Sequence, residues 1–349
     1  MKRFCLVFVL LVSSLSAFDK VVIWGYKLHT HTHSYIHQGF YRAFKHLGFD
    51  VRWYDENDPI NEEELANSLF ILNLTRSDNI PIRSDCFYIL HTRWRKEFSA
   101  LDTKFGPLIE QGRCVAMKCF CDRFLDLPGY EKLAPCIYRS LKKRDVVMPW
   151  ATDLLPHEID KEKERLANIS PKKRVAYLGT IGRGEGRGSN YQQLYPFFKE
   201  ARRRGYSVKT NDPWSKPLSI EEMKQLLQES KLAPAIQGAW QVRKGYIPCR
   251  IFKNLSYGCL GITNSYRVWE LFDRKVVYDP DSANLFVKAE KALETYSLEE
   301  RFAMMDYIKE HHTYLSRIRL LLEALHVCSG DQHILEIIEN FSNKRGFNI

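Results

Sequence analysis

Residues 245–279 read GYIPCRIFKNLSYGCLGITNSYRVWELFDRKVVYD. Proline suits the first turn of a helix and glycine the position after its end, so Pro248 to Tyr257 is expected to be helical and to stop at Gly258. Cys259 to Thr263 is a short apolar run, expected as a buried strand. A brief helix separates it from a second strand, Val276 to Tyr278. Arg250 and Lys253 lie near the start of the Pro248 helix. A helix N-terminus flanked by cations is an anion site.

The same rhythm continues outward. Upstream, Arg174–Gly179, Tyr206–Thr210 and Ala233–Gln237 read as strands, with helices at Asn190–Arg204 and Ser219–Ser230. Ser219 before an acidic turn is a helix start. Downstream, Asp281–Thr295 and Ser297–His326 read as closing helices. The first half has strand-like runs at Val21–Gly25, Asp50–Tyr54, Leu69–Leu74, Phe87–His91, Cys114–Lys118 and Val146–Pro149. A helix is expected over Tyr35–Leu47, ending at Gly48, and another starts in the acidic turn after Asn61. Short apolar strands alternating with helices indicate parallel α/β layers. The expected fold is two facing Rossmann-like domains with a cleft between them. Their expected limits are 18–156 and 174–326, joined by a charged linker at 157–173 and followed by a tail helix at 327–349.

The chain has 349 residues, enough for two domains, and 45% hydrophobic residues to build their cores. Its net charge of +10 suits phosphate-bearing ligands or an anionic membrane surface. No basic helix with interleaved aromatics is present, so nucleic acid is not an expected partner. The first 17 residues, MKRFCLVFVLLVSSLSA, combine Lys2 and Arg3, an apolar core and small residues, the pattern of a signal peptide. The alternative is an uncleaved N-terminal anchor. The expected location is the secretory pathway or a membrane surface, and the cytoplasmic face if the segment is not a true signal. Of nine cysteines, eight follow that segment, a number that allows either disulfides or buried thiols.

From Arg174 to Leu325 the chain resembles the nucleotide-sugar glycosyltransferases of the GT-B fold, especially the broad "group 1" type. Three segments carry the resemblance. Val175–Gly179 with Gly182, Arg183, Arg187 and Gly188 is similar to that family's first C-domain strand and its glycine-basic loop. Ile247–Gly258 is similar to its P-x-R-x-F-E-x-x-x-x-G helix, and Leu260–Asn264 to the strand after it. His311–Leu322, HHTYLSRIRLLL, is similar to its terminal helix. One position departs: the family's glutamate, expected to hold the ribose, is Lys253 here. An ammonium donates hydrogen bonds where a carboxylate accepts them, so Lys253 points instead to a diphosphate.

The resemblance implies a metal-independent transferase without a cofactor. It moves a sugar from a nucleotide-sugar donor to a glycan, lipid-linked or protein acceptor, with retention of stereochemistry. Gly182, Arg183, Arg187, Arg243, Lys244, Arg250 and Lys253 are the expected donor and phosphate residues. Fixed cations there stabilise the charge that develops on a leaving diphosphate. On the acceptor side, His29, His31 and His33 follow the first strand as H-T-H-T-H, and in an extended segment they share one face. They fit acceptor hydroxyls, a zinc ion or plain packing. His91, with Arg93 two residues on, ends another strand. His31 and His91 are the candidates to position or deprotonate an acceptor. His37 is expected to pack. Two rival readings remain: a GT-B-shaped binding protein without turnover, motivated by Lys253, and a metal-dependent hydrolase built on the histidine cluster.

Overall fold

The structure, a computed structural model, describes residues 17–27, 32–55, 57–76, 79–92, 97–119, 130–134, 137–140, 145–184, 186, 188–213 and 216–344. The first domain runs β1 (Lys20–Trp24), α1 (Thr32–Leu47), β2 (Asp50–Tyr54), β3 (Ser68–Asn73), β4 (Phe87–His91), α2 (Glu97–Glu110), β5 (Cys114–Lys118), β6 (Tyr130–Ala134), β7 (Ile137–Ser140) and β8 (Asp145–Val147). Its sheet has the order β2-β1-β3-β4-β5-β8-β7-β6. The first six strands in that order pair in parallel, and β7 and β6 add an antiparallel edge. In β1, Val21 and Ile23 face one core while Val22 and Trp24 face the other, and all four are buried. A parallel strand covered on both faces reads as an unbroken apolar run for this reason.

The second domain runs α3 (Pro156–Leu166), β9 (Lys172–Leu178), α4 (Tyr191–Arg203), β10 (Ser207–Asn211), α5 (Ile220–Gln228), β11 (Ser230–Leu232), α6 (Ala239–Arg243), α7 (Cys249–Ser256), β12 (Ile262–Thr263), α8 (Tyr266–Leu271), β13 (Val277–Tyr278), α9 (Ser282–Leu293) and α10 (Leu298–His311). Its strands are parallel in two groups, β10-β9-β11 and β12-β13. The expected strand 233–237 is not a regular one. Pro234 has no N–H to give the ladder, and the run joins the sheet through Ala235 N–H to Ile262 O, 2.8 Å. The two domains are Rossmann-like layers in a GT-B-like architecture.

Three stretches differ from the sequence expectation. The charged run 157–173, expected as a linker, forms α3 and the start of β9. Ile159 and Leu166 are buried in the second domain's core, and Gly258 closes α7 where a Cβ would overlap Leu166. The edge strands β6 and β7 were not expected, because their mixed polar composition carries no apolar run. The helical stretch 297–326 breaks at His312–Thr313, where Thr313 caps α11 (Tyr314–Ser329).

Helix α11 leaves the second domain. Leu315, Ile318, Leu321, Leu322 and Leu325 are buried in the first domain's core, joined by Ile334 and Ile338 of α12 (Gln332–Lys344). Tyr314 packs so closely on α1 that a side chain at Gly39 would overlap its ring. An apolar helix is legible in sequence, but which sheet it covers is not.

The crossover between domains is pinned by Arg317, which is fully buried. It donates to Pro149 O at 2.9 Å, Trp150 O at 3.0 Å, His311 O at 2.9 Å and His312 Nδ1 at 2.8 Å. Burial lowers its guanidinium to about 10, and four acceptors offset that desolvation.

Candidate functional site

Ligands of doubly wound sheets bind outside the carboxyl ends of the strands, where the strand order reverses. In the first domain that point lies between β1 and β3, and in the second between β9 and the run after β11. Near both places lie buried polar atoms with no hydrogen-bond partner among the described residues. They are Ser34 Oγ and Thr92 Oγ1 in the first domain, and Gln237 Oε1 and Ser265 Oγ in the second. Unsatisfied buried groups are costly, and a ligand or water can complete them. None of the four stood out in sequence. Their signal is position alone, since Thr92, Gln237 and Ser265 each follow the last apolar residues of a strand-like run.

In the second domain β9 ends at Leu178, and Gly179 follows at φ 130°. A Cβ on Gly179 would overlap the Arg250 guanidinium. Glycine therefore leaves room for Arg250, from the first turn of α7, to cross the strand end. Arg250 Nε donates to Leu178 O at 2.7 Å, and its guanidinium lies 4.2 Å from the centre of the Tyr177 ring. Stacking and a hydrogen bond fix one edge of the fork and leave the charge in place.

The loop after Gly179 is held by Asn190, which donates to Tyr177 Oη at 2.9 Å and Thr180 O at 3.1 Å. It accepts from Gly182 N at 3.0 Å. The amide of Gly182 is thus used inside the loop, and its missing side chain lets Gly188 O approach. Exposed Arg183 lies 5.0 Å over the Tyr191 ring. Arg250 and Arg183 are therefore mounted on one frame made of Tyr177, Asn190 and Tyr191. Arg243 and Lys244 sit at the C-terminal end of α6, Arg243 exposed and Lys244 half-buried. The N-cap of that helix, Gly238, abuts Ser189 of the same loop.

Lys253 is placed differently. Its Nζ lies 3.0 Å from Asp153 Oδ2 and 4.7 Å over the Tyr35 ring of α1. Tyr257 Oη donates to the Asp153 carboxylate, 2.9 Å from each oxygen. Arg42 donates to Asp153 O at 2.6 Å and to Glu158 Oε1 at 2.6 Å. Burial alone would raise the Asp153 carboxyl, but the Lys253 ammonium and the Tyr257 hydroxyl outweigh it and hold Asp153 below its ordinary value. Burial likewise opposes the charge on Lys253, and Asp153 more than restores it. Lys253 thus fastens α7 to the crossover and to α1.

In the first domain His91 is buried at the end of β4. Asn73 Oδ1 accepts from Thr75 N at 3.0 Å, so its amide nitrogen is the group facing His91 Nδ1 at 3.1 Å. That nitrogen donates, so Nδ1 accepts and the ring proton sits on Nε2. Nε2 faces Cys119 Sγ at 3.7 Å. His33 is buried beside it, its ring 5.2 Å from His91 and stacked at 4.9 Å on Tyr26. His37 packs, as expected, with Nδ1 2.8 Å from Gly25 O. His29, His31, Arg93 and Arg187 lie outside the described residues. Among the described residues no three His, Cys, Asp or Glu side chains come together in a way that could hold a metal ion.

No known protein-family pattern matches the chain, and no curated protein matches it in sequence. Its fold is similar to those of solved glucosyltransferase structures, among them two complexes with DNA. One is an alpha-glucosyltransferase in complex with UDP and a 13-mer DNA containing a HMU base. It has a TM-score of 0.53 and 9% identity, over 88% of this chain and 99% of that one. The other is an alpha-glucosyltransferase in complex with UDP-glucose and DNA containing an abasic site. Its TM-score is 0.51 and its identity 10%, over 86% and 98% of the two chains. Likeness at this identity establishes the GT-B fold, and function has to be argued from the site.

Proposed function

We propose that this protein is a glycosyltransferase that takes its sugar from a nucleotide-sugar donor held by the second domain. The observation that carries this reading is Arg250 stacked on Tyr177 at the end of β9, over a glycine that leaves it room. A guanidinium fixed there meets the charge that develops on a departing diphosphate, and Arg183 on the same loop adds a second cation. The orphaned Gln237 Oε1 and Ser265 Oγ offer polar contacts to the rest of the nucleotide. The similar structures that hold UDP and UDP-glucose support the same ligand class.

In this reading the cations do the work of charge neutralisation without a metal. The "group 1" type and a retaining outcome follow from the sequence resemblance. The acceptor enters over the first domain, near Thr92 and Ser34. His91 underlies that surface as a hydrogen-bond donor through Nε2, not as a base. Glycans, lipid-linked sugars and proteins are the acceptor classes to examine. DNA with a hydroxymethylated base joins them, because the similar transferase structures contain DNA. The compartment in which it works is one that holds nucleotide sugars.

The test is calorimetric titration with UDP, GDP, CDP and their common sugars, with and without chelator, on the native chain and on Arg250→Ala. Saturable binding of one nucleotide that weakens at least tenfold in the variant supports the donor site. Transfer to the acceptor panel, with the product anomer read by NMR, then supports the activity. Binding without transfer to any acceptor favours the binding-protein reading, in which Lys253 has replaced the family's ribose-holding carboxylate by a structural ion pair. No binding to any nucleotide overturns the proposal.

A further inference from the structure

The second domain holds a cavity of about 450 Å³ whose lining includes neither Arg250 nor Gln237. It lies against Leu260, Val276 and Val277, at the amino-terminal ends of β12 and β13, and is closed by α9 and α10. Its size is that of a small-molecule site. Its floor is apolar and buried: Leu260, Phe272, Val276 and Met304.

Its mouth is charged. Arg274, Lys275 and Glu300 line the cavity and are exposed. Among the described residues neither cation has an ion-pair partner, and Arg274 rests 5.0 Å over the Trp269 ring. Glu300 is otherwise engaged, accepting from Ser297 N at 2.8 Å at the start of α10. Its charge is offset there by the helix terminus. The turn that presents the cations is unusual, with Asp273 and Arg274 at φ 48° and 64°. Two successive non-glycine residues in the left-handed region are disfavoured. The turn is held by Arg274 N–H to Trp269 O at 2.9 Å.

A largely apolar floor below a cationic mouth selects an anion with an apolar tail. Tyr296 and Tyr307 also line the cavity, and the Tyr307 hydroxyl is directed to Leu271 O at 3.4 Å. We propose that this cavity binds a single long-chain carboxylate, with its tail on the Leu260–Met304 floor and its head between Arg274 and Lys275. The site is separate from the strand-end chemistry and does not depend on the donor reading.

The test is methyl NMR of the full chain carrying ¹³C-methyl methionine, titrated with octanoate and decanoate below their micellar concentrations. The Met304 signal should shift saturably while Met117, in the first domain's core, stays still. Each added methylene tightens binding about fourfold if the tail is buried, so decanoate should bind roughly tenfold or more tightly than octanoate. The variant R274Q/K275E alters exposed positions only, and should weaken decanoate binding at least tenfold. Decyltrimethylammonium, with the same tail and the opposite head, should bind more weakly than decanoate to the native chain. A stationary Met304, equal binding by the native chain and the variant, or equal binding of the two head groups would overturn the proposal.

Discussion

Lys253 Nζ lies 3.0 Å from Asp153 Oδ2, and the pair joins the second domain's α7 to the segment where the chain crosses between domains. Removing one partner leaves the other buried and uncompensated, at a cost of about 3–5 kcal/mol. Lys253→Met is expected to lose that much in denaturant titration, and the double variant K253M/D153N to recover most of it. The pair also shapes the acid limb. Asp153 titrates below its ordinary value of 3.8 in the fold. Its contribution is therefore whole above that pH and lost as pH falls through the lower folded value. Lys253 titrates above its ordinary 10.5, so its share is whole below that pH and lost as pH rises through the folded value. A double variant whose melting temperature falls with acid as steeply as that of the native chain would refute this account.

Gly179 is expected to be as important to the donor site as the residue it accommodates. A Cβ there overlaps the Arg250 guanidinium, and φ 130° disfavours any other residue. Under the proposed function, Arg250→Ala lowers kcat about a hundredfold, and Gly179→Ala comes close to it. Arg250→Lys should rescue little, because an ammonium cannot both stack on Tyr177 and bond Leu178 O. Gly179→Ala with native kcat would remove Arg250 from the mechanism.

Arg317→Met is expected to unlatch α11. It strips partners from Pro149 O, Trp150 O and His311 O in a buried site. The loss should be at least ~3 kcal/mol, with unfolding that is no longer a single transition if the domains separate. The adjacent His312 is buried and held well below its ordinary 6.5, first by burial and then by the Arg317 charge. The unfolded chain takes up that proton first as pH falls. The contribution of neutral His312 is whole above about pH 6.5 and lost as pH falls through the depressed folded value. His312→Gln should flatten stability against pH in that acid range, as measured by denaturant titration.

Asn73 is expected to set the tautomer of His91. Nitrogen NMR should find the His91 proton on Nε2 in the native chain. Asn73→Asp offers an acceptor in place of the donor and should move a proton onto Nδ1. An Nδ1–H ring in the native chain would reverse the assignment and restore His91 as a candidate base.

The four Asn-x-Ser/Thr sequons, at Asn73, Asn168, Asn254 and Asn340, differ in exposure, and Asn340 on α12 is exposed. Asn73 and Asn254 are buried, and Asn254 donates to Ala233 O at 2.7 Å. Asn168 is exposed after α3. Expressed with its own N-terminal segment in a eukaryotic cell, a chain that enters the secretory lumen should carry glycan at the exposed Asn168 or Asn340 and none at the two buried sites. Glycopeptide mass spectrometry reads this directly, and fully unmodified Asn168 and Asn340 speak against lumenal passage.

The sequence by itself determined the layered α/β fold, because its signals are local. Apolar runs such as Val21–Trp24 and Val175–Leu178 are strands buried on both faces, and Pro248 with Gly258 brackets α7. It also placed Arg250 in the first turn of α7, since a residue there is positioned by that helix. Other matters depended on contacts between residues far apart in the chain, which periodicity does not encode. Pro234 broke a strand only because its neighbours in the sheet required an N–H. The charged stretch after His157 became a helix because Ile159 and Leu166 found the second domain's core. Helix α11 joined the first domain because α1 offered Gly39 to Tyr314. Above all, Lys253 reads in sequence as a phosphate ligand, whereas the fold sets it against Asp153, far away in the chain. A buried charge takes whatever counter-charge the fold places beside it, and only the tertiary structure decides which one that is.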